Sequence, residues 1–177
     1  AVPKAQEALD LAERVYGGEH PDVANVLMVL GGVHRELGAM DQAAWAFSRS
    51  VRILEPMADG DPDVDRLKVR ALHAVANLER ETGHLEASET VFLRALSAAE
   101  STLPEDDLDL AALLNDFGLL RKEQGRYADA EGYYDRALKL YEQSLGPGHP
   151  DLAGLYANIA GLEHARGTAL EALGADP

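Results

Sequence analysis

Apolar residues in this chain return at helical spacing on paired segments, each pair divided by a glycine and followed by a Pro/Asp/Gly-rich turn. The dividing glycines are Gly38, Gly83, Gly125 and Gly167. Eight residues before them stand Leu30, Val75, Phe117 and Ile159, and eleven before stand Leu27, Leu72, Leu114 and Tyr156, two core columns one helical turn apart. Seven before, only small residues occur: Gly31, Ala76, Gly118 and Ala160. On the second segment, five after the glycine come Ala43, Ser88, Ala130 and Ala172, and nine after come Phe47, Phe92 and Tyr134. Small residues opposite large ones let two helices approach closely and interlock. The glycine suits a left-handed residue that ends one helix and reverses the chain.

These columns belong to an internal repeat. EALDLAERVYGGEHPDVA from Glu7 aligns without a gap with RALKLYEQSLGPGHPDLA from Arg136, an offset of 129, and the glycines step by 45, 42 and 42. A 42-residue unit therefore recurs, lengthened once by three residues near Asp59–Asp65. The pattern predicts helices over 3–16, 22–37, 40–56, 64–82, 85–101, 108–124, 127–144 and 151–165, then a truncated helix from 168. As one repeat domain, 1–177, it divides into the second helix of a partial repeat (1–21), full repeats at 22–63, 64–108 and 109–150, and a partial one at 151–177. His20–Asp22, Asp61–Asp63 and His149–Asp151 precede first-segment helices, where Pro and Asp complement the unpaired amides and the helix dipole. Glycines and prolines break every stretch before a long coiled coil accumulates, and no strand pattern of useful length occurs.

The stretch ALLNDFGLLRKEQGRYADAEGYYDRALKLYEQSLGPGHPDLAGLYANIAGLEHARG from Ala112 resembles the 42-residue tetratricopeptide repeat of kinesin light chains and of many bacterial repeat proteins. The small-residue column, glycine turn, following alanine and LGPxHP loop carry the likeness. It implies an all-α, right-handed superhelical solenoid of antiparallel helix pairs, with the first helix of each pair lining a concave face. One column departs from the family. Four residues before the glycine, where an aromatic is usual, stand His34, Glu79, Arg121 and Glu163, so packing there is expected to be polar, through ion pairs of small value.

Composition narrows the chemistry. With 177 residues, 46% hydrophobic and 27% charged, the chain can bury a real core. The absence of cysteine excludes disulfides, thiol nucleophiles and cysteine-based metal sites. No apolar run nears the roughly 20 residues of a membrane helix. The opening AVPKAQEALD has no initiator Met, basic n-region or apolar h-region, and reads as a cut or processed end with no secretory signal. Thirty-one acidic against 16 basic residues give −15, which disfavours nucleic acid and anionic membrane as partners. The six histidines include no i, i+4 pair and no HExxH, and His20 and His149 are one loop position seen twice. Asp59, Asp61, Asp63 and Asp65 begin like a calcium loop, but Val64 and Arg70 stand where Gly and Glu are needed, so the segment reads as a solvated helix entrance. Phosphate-binding loops and nucleophile elbows are also missing. No enzyme and no cofactor are expected.

The informative surface is one face of the first-segment helices. Positions thirteen, ten, six and three before the glycine share it: Asn25, Met28, Gly32, Arg35; Arg70, His73, Asn77, Arg80; Ala112, Asn115, Leu119, Lys122; Gly154, Ala157, Gly161, His164, with Asn158 beside Ala157. One column, Arg35, Arg80, Lys122 and His164, is basic throughout. Read as a groove, this face takes an extended, partly acidic segment of another protein, the asparagines meeting its backbone and the cations its carboxylates; these asparagines resemble those that clasp peptide backbone in kinesin light chains and other relatives. Read locally, each cation pairs with Glu36, Glu81 or Glu123. The alternative to a peptide-binding scaffold is a structural or regulatory segment of a larger bacterial, cytoplasmic protein, one with ATPase, caspase-like or transcription-factor domains, packing in cis or self-associating. Leu9, Leu11 and Val15 at one end and Tyr156 and Ile159 at the other are expected to lack a neighbouring repeat and to support weak homo-oligomers.

Overall fold

The computed structural model describes residues 1–57 and 60–172. Asp59 of the acidic segment, residues 173–177 of the partial last repeat and the side chain of Ala172 lie outside the described residues. The chain divides into two compact units, Ala1–Leu103 and Pro104–Pro177. The first holds α1 (Val2–Tyr16), α2 (Pro21–Glu36), α3 (Met40–Leu54), α4 (Pro62–Glu81) and α5 (Leu85–Thr102). The second holds α6 (Leu108–Glu123), α7 (Tyr127–Leu145), a 3-10 turn at Pro150–Leu152 and α8 (Ala153–Ala172). Among the described residues there is no strand.

Three first-segment helices begin on one kind of cap. His20 Nδ1 accepts the Asp22 amide at 3.2 Å, Asp61 Oδ1 those of Asp63 and Val64 at 3.0 and 3.4 Å, and Asp107 Oδ1 that of Asp109 at 2.8 Å. Each satisfies a donor that the helix start leaves open. The same helices end alike. Gly38, Gly83 and Gly125 take φ of 72, 85 and 74°, and the next residue's amide donates back to the His34, Glu79 or Arg121 carbonyl at 2.8–2.9 Å. This is the left-handed glycine stop that the sequence predicts.

In the first unit α2 packs on α3 and α4 on α5, with α1 against α2 and α3 against α4. Its core includes Leu9, Val23, Leu27, Leu30, Ile53 and Leu54, beside a smaller cluster of Ala43, Phe47 and Leu78. In the second unit α6 packs on α7 and α8 on α7, burying Leu114, Phe117, Tyr134, Leu155 and Leu162. The small-residue column lies at the crossings. A Cβ added to Gly31 would lie 2.5 Å from the Phe47 ring, and one on Gly118 would lie 2.6 Å from the Tyr134 ring. In the intervening pair Ala76 and Phe92 are both fully buried. Ser88, in the alanine column after the glycine, donates to the Ala76 carbonyl at 2.8 Å, so its hydroxyl is satisfied inside the pair.

The structure corrects three expectations. Gly167 does not turn the chain: α8 is continuous from Ala153 to Ala172, and the helices predicted at 151–165 and from 168 are one. Helical glycine costs only about 1 kcal/mol against alanine, and continuation keeps backbone carbonyls bonded. Thr168 Oγ1 also donates to the His164 and Ala165 carbonyls at 3.2 and 3.0 Å. Among the described residues no second helix folds back on α8, and Ala160 and Tyr156 are exposed where their counterparts are buried. Second, Leu9 is buried in the α1–α2 core, while Leu11 and Val15 stay exposed; only one face of α1 meets α2. Third, the acidic segment is solvated only in part. Asp61 and Asp63 are exposed, but Asp65 is buried and accepts the Gly60 amide at 2.9 Å.

Candidate peptide-binding face

The four columns fall into separate units. Asn25, Met28, Arg35, Arg70, His73, Asn77 and Arg80 belong to α2 and α4, and Asn115, Leu119, Lys122, Asn158 and His164 to α6 and α8. In the first unit Asn25 and Arg70 are exposed and border an open cleft of about 240 Å³ between the starts of α2 and α4. Arg66, Asp22 and Asp63 line it as well. Arg66 falls outside the four columns, although it lies one turn before Arg70 on the same side of α4. Met28 is half-buried against the core, and the His73 ring tilts at 5.9 Å from that of Phe92. Asn77 is only 8% exposed. These three contribute more to the wall than to the open surface.

The cations at the other end of this face are held closely. Arg35 and Arg80 approach the same carboxylate, that of Glu81, at 3.9 and 3.8 Å. Both stand in the last turn of their helices, as Lys122 does in α6. A cation there is favoured by the helix dipole, typically by about 0.3–1 kcal/mol. The regular basic column thus has a local electrostatic cause as well as a potential use. The Arg side chain of the neighbouring column, Arg121, lies over Phe117 at 4.5 Å and donates to Gln124 Oε1 at 2.9 Å, so a planar guanidinium takes the place of the family's aromatic.

In the second unit the asparagines meet each other. Asn158 Nδ2 donates to Asn115 Oδ1 at 2.9 Å, and Asn115 Nδ2 donates to Asp116 Oδ1 at 3.0 Å. Lys122 Nζ lies 3.2 Å from where a Gly161 Cβ would be, close over α8. Leu119 is half-buried and His164 exposed. This side therefore carries an amide ladder from α6 to α8 with a lysine and a leucine beside it.

Several other polar groups are engaged within the fold. His84 Nδ1 sits 3.0 Å from Glu79 Oε2 and 3.1 Å from Thr82 Oγ1, and because both reach one ring nitrogen the histidine cannot relay a proton between them. Ser50 and Ser88 spend their hydroxyls on the Ala24 and Ala76 carbonyls. Among the described residues no three His, Asp or Glu side chains gather to hold a metal ion, and no helix is long and apolar enough to cross a membrane.

A family model described as "Tetratricopeptide repeat" matches residues 1–55, 67–143 and 109–175. A comparison with curated proteins finds no match. Among solved structures, the chain is similar to BtubC (BKLC) from P. vanneervenii, at 20% identity and a TM-score of 0.76, covering 93% of this chain and 63% of that one. It is also similar to apo RapI, at 17% identity and 0.74, covering 97% and 45%. A kinesin-light-chain-like protein of Podosopora anserina with nearly identical TPR-like repeats matches at 15% identity and 0.72, covering 97% and 80%. The chain thus spans less than two thirds of the first two. These likenesses establish the fold, an all-α helical-repeat solenoid.

Proposed function

The chain belongs to the tetratricopeptide repeat family, whose members are in general non-catalytic protein-interaction scaffolds, and on that premise we propose that it binds an extended, acidic segment of another protein. The observation that carries this reading is the cleft between α2 and α4, where Asn25, Arg66 and Arg70 stand together at an open surface of a strongly acidic chain. Asn25 can donate to and accept from a peptide backbone at once. The two guanidinium groups suit bidentate contact with carboxylates. Arg35 and Arg80, which both approach Glu81, stand further along the same two helices. In the second unit Asn115, Asn158, Leu119, Lys122 and His164 supply a mixed polar and apolar strip for the same purpose.

The test is fluorescence anisotropy of a labelled glutamate-rich peptide and its glutamine twin against the full chain. The glutamate peptide binds more tightly, its advantage shrinks as salt shortens the Debye length from about 10 Å at 0.1 M to about 3 Å at 1 M, and Arg35→Glu with Arg70→Glu removes it. Equal affinity of the two peptides, or an advantage that survives the charge reversal, overturns the proposal.

A second reading rests on the exposed apolar residues Leu11, Val15 and Tyr16 of α1 and Tyr156 of α8. Surfaces of this kind favour association with another copy or with a neighbouring segment. Weak self-association, or docking in cis within a larger bacterial cytoplasmic protein, is compatible with peptide binding on α2 and α4, because α1 and α8 lie outside that cleft.

A further inference from the structure

Helices α1 and α8 each leave bare the face that their counterparts bury inside a helix pair. By the 42-residue register α1 is a second-segment helix, equivalent to α3, and α8 is a first-segment helix, equivalent to α2. In the α2–α3 pair, Ser50 donates to the Ala24 carbonyl at 3.0 Å and the Phe47 ring lies against Gly31. Ser50, Ile53, Ala24 and Leu27 are fully buried there. The residues 42 positions before Ser50 and Ile53 are Ala8 and Leu11, and those 129 positions after Ala24, Leu27 and Gly31 are Ala153, Tyr156 and Ala160. All five are exposed. Each helix buries a different face instead. On α1, Leu9 and Ala12 join the core beside α2, and α8, packed on α7, buries Leu155 and Leu162.

We propose that the bare face of α8 in one copy docks on the bare face of α1 in a second copy, building between two chains the kind of helix pair that α2–α3, α4–α5 and α6–α7 form within one. This deepens the reading of self-association given above and rests on it. A second copy is the occupant because the two faces are the two halves of one interface that the chain already uses. On α1, Lys4, Ala8, Leu11 and Val15 follow one another at spacings of four, three and four, a single stripe along the helix; on α8, Ala153, Tyr156 and Ala160 do the same. Bulk is exchanged between them. Where the second-segment helices carry Phe47, Phe92 and Tyr134, α1 has Ala5, and where the first-segment helices carry Leu27, Leu72 and Leu114, α8 has the larger Tyr156, one turn from the small residue Ala160. A face short of side-chain volume thus meets one with more of it, as interlocking helices require. The Tyr156 hydroxyl donates to Glu142 Oε1 at 3.4 Å, which steadies the ring on the exposed side of α8. Because the two faces differ, the contact is heterologous, and each copy offers one face of each kind.

Sedimentation velocity of the full chain and two variants is the test. Leu11→Glu with Val15→Glu closes the α1 face, and Ala160→Glu closes the α8 face; all three side chains are exposed, so circular-dichroism melts stay within a few degrees of wild type. Wild type associates as its concentration rises. Each variant alone is monomeric, because every copy then lacks one of the two faces. Their equimolar mixture forms one-to-one dimers and nothing larger, since each variant keeps the face that the other has lost, and this recovery also requires both to be folded. The lysine versions, Leu11→Lys and Ala160→Lys, give the same pattern with the opposite charge. An α8 variant that still dimerises alone reveals contact between two α1 faces, and an α1 variant that does so reveals contact between two α8 faces. Either result, or a mixture that stays monomeric while wild type associates, overturns the head-to-tail pairing and leaves self-association standing. A wild-type chain that stays monomeric at high concentration overturns both.

Discussion

Gly31 and Phe47 touch so closely that a single added carbon would place Cβ 2.5 Å from the ring edge of Phe47. The helix crossing of α2 on α3 is set by this contact, and α6 repeats it on α7 through Gly118 and Tyr134. Gly31→Ala therefore destabilises the first unit by about 1–3 kcal/mol, since overpacking outweighs the gain in helix propensity. The neighbouring Gly32, whose Cβ would meet nothing within 4 Å, is the control. Gly32→Ala stabilises by about 0.5–1 kcal/mol. Urea melts of the two variants give opposite signs, and a stabilised Gly31→Ala protein contradicts the described crossing.

Two members of the glycine column respond oppositely to alanine. Gly83 has φ of 85° and ends α4, so Gly83→Ala costs about 1–2 kcal/mol of left-handed strain. Gly167 lies inside α8 with open space where a Cβ would be, so Gly167→Ala raises helicity and stability by up to about 1 kcal/mol. Thermal melting of both variants checks the continuity of α8. Equal losses would restore a turn at Gly167.

Asp107 caps α6 from a largely buried position, accepting the Asp109 amide at 2.8 Å. Asp107→Ala lowers stability by about 1–2 kcal/mol, and Asp107→Asn by less, because asparagine also caps. Chemical denaturation with an unchanged slope is the check.

Much of this fold is legible in the sequence because the 42-residue period aligns residues with one structural duty, and a column of Gly, Ala, Gly cannot be accidental beside one of Phe, Phe, Tyr. Gly31, Gly118, Phe47 and Tyr134 fall on facing helices by spacing alone. Gly167 misleads for the same reason: the column names a residue type, whereas the described residues after Gly167 continue α8. The candidate face is legible as a helix face but not as a surface. Asn77 carries the right side chain at the right spacing, yet tertiary burial removes it from solvent, and Arg35 reaches Glu81 from α2 to α4, a contact between helices that spacing within one helix does not specify.

The exposed side of α1 gives a prediction for association. Leu11 and Val15 are 56% and 62% exposed on neighbouring turns. Sedimentation equilibrium is expected to show weak, concentration-dependent self-association, reduced by Leu11→Glu with Val15→Glu. A wild-type chain that stays monomeric at high concentration contradicts this reading.

The most direct test of the proposed function is amide chemical-shift mapping of the nitrogen-15-labelled full chain during addition of the glutamate-rich peptide. The account predicts perturbations concentrated on α2 and α4, centred on Asn25, Arg66 and Arg70. Perturbations centred instead on α3 and α5, around Trp45 and Arg94, with Asn25 and Arg70 unmoved, would contradict it.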